Sequence, residues 1–234
     1  MENTIDRPAP VEEPRPPVIG LVVAGLAIAG MAAVSWIAWP HLAETVHGGR
    51  YDLDGSPNMV PRWLLAAAVP TIAGLISALL ATAPFLEVRI NRAFDLPVRR
   101  PLRDVTRAMN ATIALIALFM VVVHILAVAN AVGLAVPTTQ VVGVSVGVFL
   151  IGIALVVPVV RSDSGPFGLS ADLVRLWHRA RWPVAVAVIA VGVVQIAVAL
   201  LVSDVVVVSS VALLLIPAMA CGLAAPLLWD RLRG

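Results

Sequence analysis

The chain of 234 residues is 60% hydrophobic and 13% charged, with a mean hydropathy of +0.98, which excludes a fold that turns mostly polar residues to water. Its net charge of +2 comes from Arg spread over short segments and excludes a basic nucleic-acid-binding domain. One cysteine, Cys221, lies in an apolar run and excludes an internal disulfide or a Cys-based zinc site.

From the N-terminus, residues 1–17 carry four acids, two Arg and five Pro, unlike the basic start of a signal peptide. They read as a disordered cytoplasmic tail whose Pro-rich content could dock a partner. A bilayer core needs roughly 20 apolar residues in a helix, because backbone groups in lipid must be hydrogen-bonded within the segment. Val18 to Trp39 meets this, and so does Arg62 to Phe85, with Pro70 as a tolerable kink. Between Arg107 and Arg161 there is no formal charge, a length for two spans, near Ala108 to Val132 and Val141 to Val160. GLAVPTTQ, Gly133 to Gln140, supplies the turn between them. The last apolar stretch, Pro183 to Trp229, is broken at Ser203-Asp204, where an aspartate belongs at a turn and not in mid-bilayer. The count is six transmembrane helices in an all-α bundle, and segments this long without alternation do not resemble barrel strands.

Orientation follows from Arg. The second-to-third connection holds Arg89, Arg92, Arg99, Arg100, Arg103 and Arg107, and the fourth-to-fifth Arg161, Arg175, Arg179 and Arg181. With Arg7, Arg15, Arg231 and Arg233, 14 lie on one side against Arg50 and Arg62 on the other, which places both termini in the cytoplasm. Trp36, Trp39, Trp63, Trp182 and Trp229 at span ends read as an aromatic belt. The use of Arg without Lys hints at a bacterial source, hence a bacterial cytoplasmic membrane. The expected division is a membrane domain over 18–134, with an outer loop at 40–61, and a second over 135–234, with a cytoplasmic arm at 161–182.

The outer loop carries His41, Glu44, His47, Asp52 and Asp54 as candidate metal ligands. His41 and Glu44 would share a helix face, and Asp52 and Asp54 one side of an extended strand. The spacing fits neither a zinc signature nor a calcium loop, so the expectation is a polar loop, DLDG as its turn, and no metal. Inside the spans, His124 is the strongly polar ionisable residue, with Asn110 and Asn130 on the same helix and Gln195 on the fifth. An intramembrane ionisable group is a functional candidate, set against a neutral His hydrogen-bonded between helices. Gly143-x-x-x-Gly147 permits close helix approach, expected to serve internal packing. In SADLVRLWHRARW, from Ser170, a stripe of Leu169, Leu173 and Leu176 opposes Asp172, Arg175 and Arg179. That predicts a short amphipathic helix along the inner surface, with Arg175, His178 and Arg179 as candidate docking residues. No nucleophile elbow, phosphate loop or Cys/His nucleophile pair is present, so neither an enzyme nor a cofactor is expected.

YDLDGSPN at Tyr51 to Asn58, followed by Arg62 and Pro70, resembles the small membrane domain of unknown function at the front of SdpI-like proteins. Arg50 stands where that domain has a His, with His47 shortly before it. The Arg-rich run into the helix of His124, its end at Gly133, and GIALVVPVV closing the fourth span also look like this family. Gly168, Leu169, Ser170 and the pair His178-Arg179 match the SdpI-like arm, whereas its Arg-Thr is missing and Trp177 is displaced.

The resemblance implies a six-helix protein that confers immunity to a secreted toxic peptide and relays its presence by holding a regulator at the membrane. His47, Arg50, Asp52, Asp54 and Arg62 are then the outer recognition candidates. The alternatives are a small transporter or permease subunit organised around His124, Asn110 and Gln195, and a structural membrane scaffold.

Overall fold

The computed structural model describes residues 15–51, 57–93, 102–159 and 171–233, and it is a bundle of helices with one small hairpin. Helix α1 runs Val18–Ala38 and ends in a 3-10 turn, Trp39–His41. Strands β1, Thr45–Tyr51, and β2, Pro57–Pro61, pair antiparallel. Then come α2, Arg62–Ala93, α3, Leu102–Ala131, and α4, Thr138–Val156. Helix α5 spans Ala171–Leu201; α6, Val205–Val211, is joined through a 3-10 turn to α7, Leu215–Arg233. Six helical stretches, with α6 and α7 counted as one, are long and apolar enough to cross a membrane. The chain is a multi-pass integral membrane protein.

The surface agrees with that solvent. Ile19, Leu26 and Ile37 on α1, Leu75 and Leu79 on α2, and Leu200, Leu213 and Ile216 further on all stand exposed. Such a girdle would aggregate in water but is solvated by acyl chains. Helices α2, α3 and α5 reach about 45 Å, longer than a hydrocarbon core of about 30 Å, so each overruns the bilayer.

The α3–α4 turn shows how the sequence stops a helix in lipid. Gly133 adopts φ +80, the Gly133 N–H donates to the Asn130 carbonyl, and the Leu134 N–H donates to the Ala129 carbonyl. This Schellman arrangement satisfies two of the carbonyls left over at the helix end, and a Cβ at position 133 would strain it. Asp204 does the same at the start of α6, its carboxylate accepting from Val206 N at 2.7 Å and Val207 N at 3.2 Å. The turns expected at 133–140 and at Asp204 are both present.

Helices α1, α2 and α3 pack together around Ala24, Ala27, Ile113 and Ala117. Helices α4, α5 and α7 pack around Ala154, Ala180, Val184 and Val188. The sets meet along α3 and α4, where the rings of Phe119 and Phe149 lie 5.2 Å apart. Gly143 and Gly147 are buried against α5, the internal packing expected of them. A Cβ on Gly147 would come 2.6 Å from the Gly192 carbonyl oxygen, and one on Gly192 2.8 Å from that of Gly147. The two backbones touch because both residues lack side chains.

Two expectations about these elements are corrected. The outer segment is not merely a loop, since its flanks pair as a hairpin. Most of the amphipathic segment from Ser170 to Trp182 is not a separate surface helix but the first turns of α5, which continues through Pro183 without a break. Pro183 keeps helical φ, and its missing N–H costs one bond that membrane helices tolerate. Of the tail, residues 1–14 lie outside the described residues, while Pro17 is buried and the Thr106 hydroxyl donates to the Arg15 carbonyl at 3.4 Å.

Candidate functional site

The hairpin grows from the end of α1 and is pinned before α2 begins. Leu42 and Val46 are buried, and the Arg62 N–H donates to the Glu44 carbonyl at 3.0 Å. The Arg62 guanidinium lies 4.6 Å over the Trp39 ring centroid and Nη1 donates to the Leu42 carbonyl at 3.5 Å. A cation placed on an indole face while donating to a carbonyl is held by both. Arg62 therefore ties the end of α1 to the start of α2.

Between the hairpin and the adjoining ends of α2 and α3 lies a cavity of about 640 Å³. Thr45, Val46, His47, Met59 and Val60 line its hairpin side. Leu65, Ala68 and Val69 from α2, with Ala127 and Ala131 from α3, line its helix side. The alanines make the space, because larger residues at those positions would fill it. Asn130 reaches the same rim, and its amide exchanges hydrogen bonds with the Thr138 hydroxyl at 3.2 and 3.3 Å. Thr45, His47 and Asn130 bring polar groups to a lining that is otherwise aliphatic or thioether. The volume lies in the range of sites that take small molecules or a few side chains.

Of the other outer candidates, His41 closes the 3-10 turn and Glu44 precedes β1, so they do not share a helix face as expected. Asp52 and Asp54 lie outside the described residues, and of Arg50 only the backbone, in β1, is described. Among the described residues no group of three or more His, Cys, Asp or Glu converges to hold a metal.

The intramembrane candidates are separated by the fold. His124 is fully buried, with Nε2 2.8 Å from the Ser35 hydroxyl and 3.1 Å from the Met31 carbonyl, both on α1. The carbonyl can only accept, so the neighbours assign the proton to Nε2 and leave Nδ1 as a buried acceptor with no hydrogen-bond partner. Asn110 lies about 21 Å away along α3, and its Oδ1 accepts from the Gly20 N–H at 2.7 Å. That N–H is in the first turn of α1, where Pro17 offers no side-chain cap, so α3 caps α1 across the interface. Gln195, 2% exposed, donates through Nε2 to the Val208 carbonyl at 3.1 Å, while its buried Oε1 has no partner. His124 thus serves α1 and α3, and Gln195 serves α5 and α6. Asn110, His124 and Gln195 do not converge on one site.

At the opposite end of α5, His178 is half-buried and Arg179 exposed, while the side chain of Arg175 lies outside the described residues. Arg181 is committed elsewhere, with Nη1 donating to the Pro158 carbonyl at 3.4 Å.

The cavity escaped the sequence reading. Its signal was the strand propensity of Thr45-Val46 and Met59-Val60 around a DLDG turn, a pattern that marks a hairpin. Ser35 carried no signal at all, since a lone Ser in an apolar helix is ordinary. Comparison with protein-family models, with curated proteins and with solved structures gave no match for this chain.

Proposed function

We propose that this chain is a non-enzymatic, SdpI-like protein of a bacterial cytoplasmic membrane that senses, or gives immunity to, an envelope-active peptide. The observation that supports the reading is the cavity between the hairpin and helices α2 and α3, lined by Thr45, Val46, His47, Met59 and Val60, which flank the segment Tyr51 to Asn58 of the family resemblance. Its lining of aliphatic residues with Thr45, His47 and Asn130 among them suits an amphipathic peptide. The Arg-rich connections and both termini lie in the cytoplasm in this reading, where Arg175, His178 and Arg179 face a regulator. The separation of Asn110, His124 and Gln195 argues against a transport path built from them.

Deletion of the gene is expected to raise sensitivity to peptides secreted by the source strain, with no change in solute uptake. Solute uptake by vesicles that disappears in His124→Ala, with peptide sensitivity unaltered by deletion, would replace this reading with the transporter. Topology is tested in a Cys221→Ser background with an impermeant thiol reagent. Cysteine at Ser203 should label in intact cells and cysteine at Gly234 only after lysis; external labelling at Gly234 would refute the orientation.

A further inference from the structure

Arg181 carries a charge that the fold does not balance. Its Nη1 donates to the Pro158 carbonyl at 3.4 Å, long for such a bond, and its Nε is buried with no acceptor. Among the described residues no carboxylate pairs with it, and its Nη2 is neither bonded nor enclosed. The N–H donors of Nη2 therefore reach the surface of the bundle unpaired.

The depth of that charge follows from the far end of the helix. From Trp182 to Leu201, where α5 ends, the rise is about 29 Å, which matches a hydrocarbon core of about 30 Å. Asp204 caps the next helix and belongs outside the hydrocarbon, so with its turn at one boundary Arg181 and Trp182 stand at the other. A guanidinium at that boundary reaches the layer of lipid phosphates. Trp182, Val186, Val193 and Leu200 are each more than half exposed. They follow one another at four, seven and seven residues, which keeps them on one face of the helix. An apolar stripe thus runs from beside Arg181 toward the opposite boundary.

A phosphate ion would satisfy the charge and leave the stripe bare, and a hydrocarbon chain alone would do the reverse. A phospholipid supplies both in one molecule. In phosphatidylcholine the phosphate is balanced by the lipid's own ammonium group, whereas in phosphatidylglycerol it is free to balance an arginine. We infer that Arg181 and the stripe beside it bind an anionic phospholipid, whose phosphate accepts from the unpaired guanidinium donors while an acyl chain lies along Val186 and Val193. The site is at the end of the bundle opposite the hairpin and separate from the cavity there.

Native mass spectrometry of the full-length protein in detergent, titrated with palmitoyl-oleoyl phosphatidylglycerol or phosphatidylcholine, reads the affinity of the first lipid bound. Phosphatidylglycerol should bind about tenfold more tightly, because charge-assisted bonds to phosphate are the strong ones. Arg181→Gln keeps a donor for the Pro158 carbonyl but no charge, and should bring the two lipids within about twofold of each other. Arg107→Gln removes the same charge from an exposed position on α3 and should leave the preference intact. Inorganic phosphate in large excess should not displace the lipid. Because Arg181→Gln could unsettle the contact between α4 and α5, a second measurement needs no variant. Phosphatidylglycerol with a diazirine in one acyl chain should cross-link to α5 between Trp182 and Val193, in competition with unlabelled phosphatidylglycerol and not with phosphatidylcholine. Equal affinity for the two lipids, the same loss in Arg107→Gln, an unaltered preference in folded Arg181→Gln, displacement by inorganic phosphate, or cross-linking that phosphatidylcholine competes away would each overturn the site.

Discussion

Helices α1 and α3 are joined by side-chain hydrogen bonds, from Asn110 to Gly20 near one end and from His124 to Ser35 and Met31 toward the other. Helices α4 and α5 are joined by the absence of side chains, with Gly147 and Gly192 letting backbone meet backbone. Lipid tails are as apolar as leucine, so apolar burial alone does not drive helices together in a bilayer. Close packing and interhelical hydrogen bonds remain; the α4–α5 seam rests on the first, and the α1–α3 seam adds the second to a close approach of its own at Gly20. The difference teaches where the protein tolerates change: both seams are intolerant of volume, and the α1–α3 seam also of lost polar partners.

The comparison is broken most directly at the glycine seam. Gly147→Leu should destabilise by about 3 kcal/mol, the upper end for overpacking, because its Cβ already meets a carbonyl before the rest of the side chain is placed. Gly25, which has nothing within 4 Å of an added Cβ, is the control. Gly25→Leu should stay within about 0.5 kcal/mol of wild type, as surface changes do. Reversible unfolding in mixed micelles measures both, and equal effects would show that the seam is not set by glycine.

His124→Ala should cost about 2 kcal/mol, from a void at a fully buried site and the lost partners of Ser35 and Met31. A cycle with Ser35→Ala sharpens it: coupling should fall near 0.6 kcal/mol and not above about 1.7, the span found for hydrogen bonds between membrane helices. No coupling would mean that His124 holds its place by volume alone.

The smallest effect is expected at the caps. Asn110→Ala should cost about 1 kcal/mol by exposing the Gly20 N–H to an interface with no water, and Asn110→Asp should retain most of the stability. Asp204→Ala should cost about as much, measured the same way. The two differ in sharing: loss of the Asn110 cap should loosen α1 from α3, whereas loss of the Asp204 cap should fray α6 only, as hydrogen exchange would report.

Much of the architecture was legible because the bilayer restricts backbone so severely. Long uncharged runs had to be helices, the segment Gly133 to Gln140 gathered the Gly and Pro of a turn, and Asp204 was too costly for mid-bilayer. The errors fell where that constraint lapses. Beyond the hydrocarbon, the segment after Trp39 could be loop or strand, and its pairing depends on Val46 meeting Val60 across the hairpin. The segment before Pro183 was read as a separate helix because its charge pattern is amphipathic. Ala180 instead packs in the core of α4, α5 and α7, and Arg181 holds the Pro158 carbonyl, which keeps α5 in one piece.

The candidate site was legible only in its parts. His47, His124, Asn110 and Gln195 announced themselves as polar groups in or beside apolar runs, but pairing is decided by which faces of distant helices meet. Ser35 and Met31 were invisible as partners of His124 for that reason, and Asn110 could not be seen as a cap for a helix about 90 residues earlier in the chain. By itself the sequence determined the solvent, the number of spans and the turns, because each follows from local composition and from the cost of an unpaired backbone group in lipid. Tertiary structure decided the grouping: the hairpin over a cavity, the polar residues divided between helix pairs, and glycine opposite glycine. Those depend on contacts between residues far apart in the chain, which composition and periodicity do not encode.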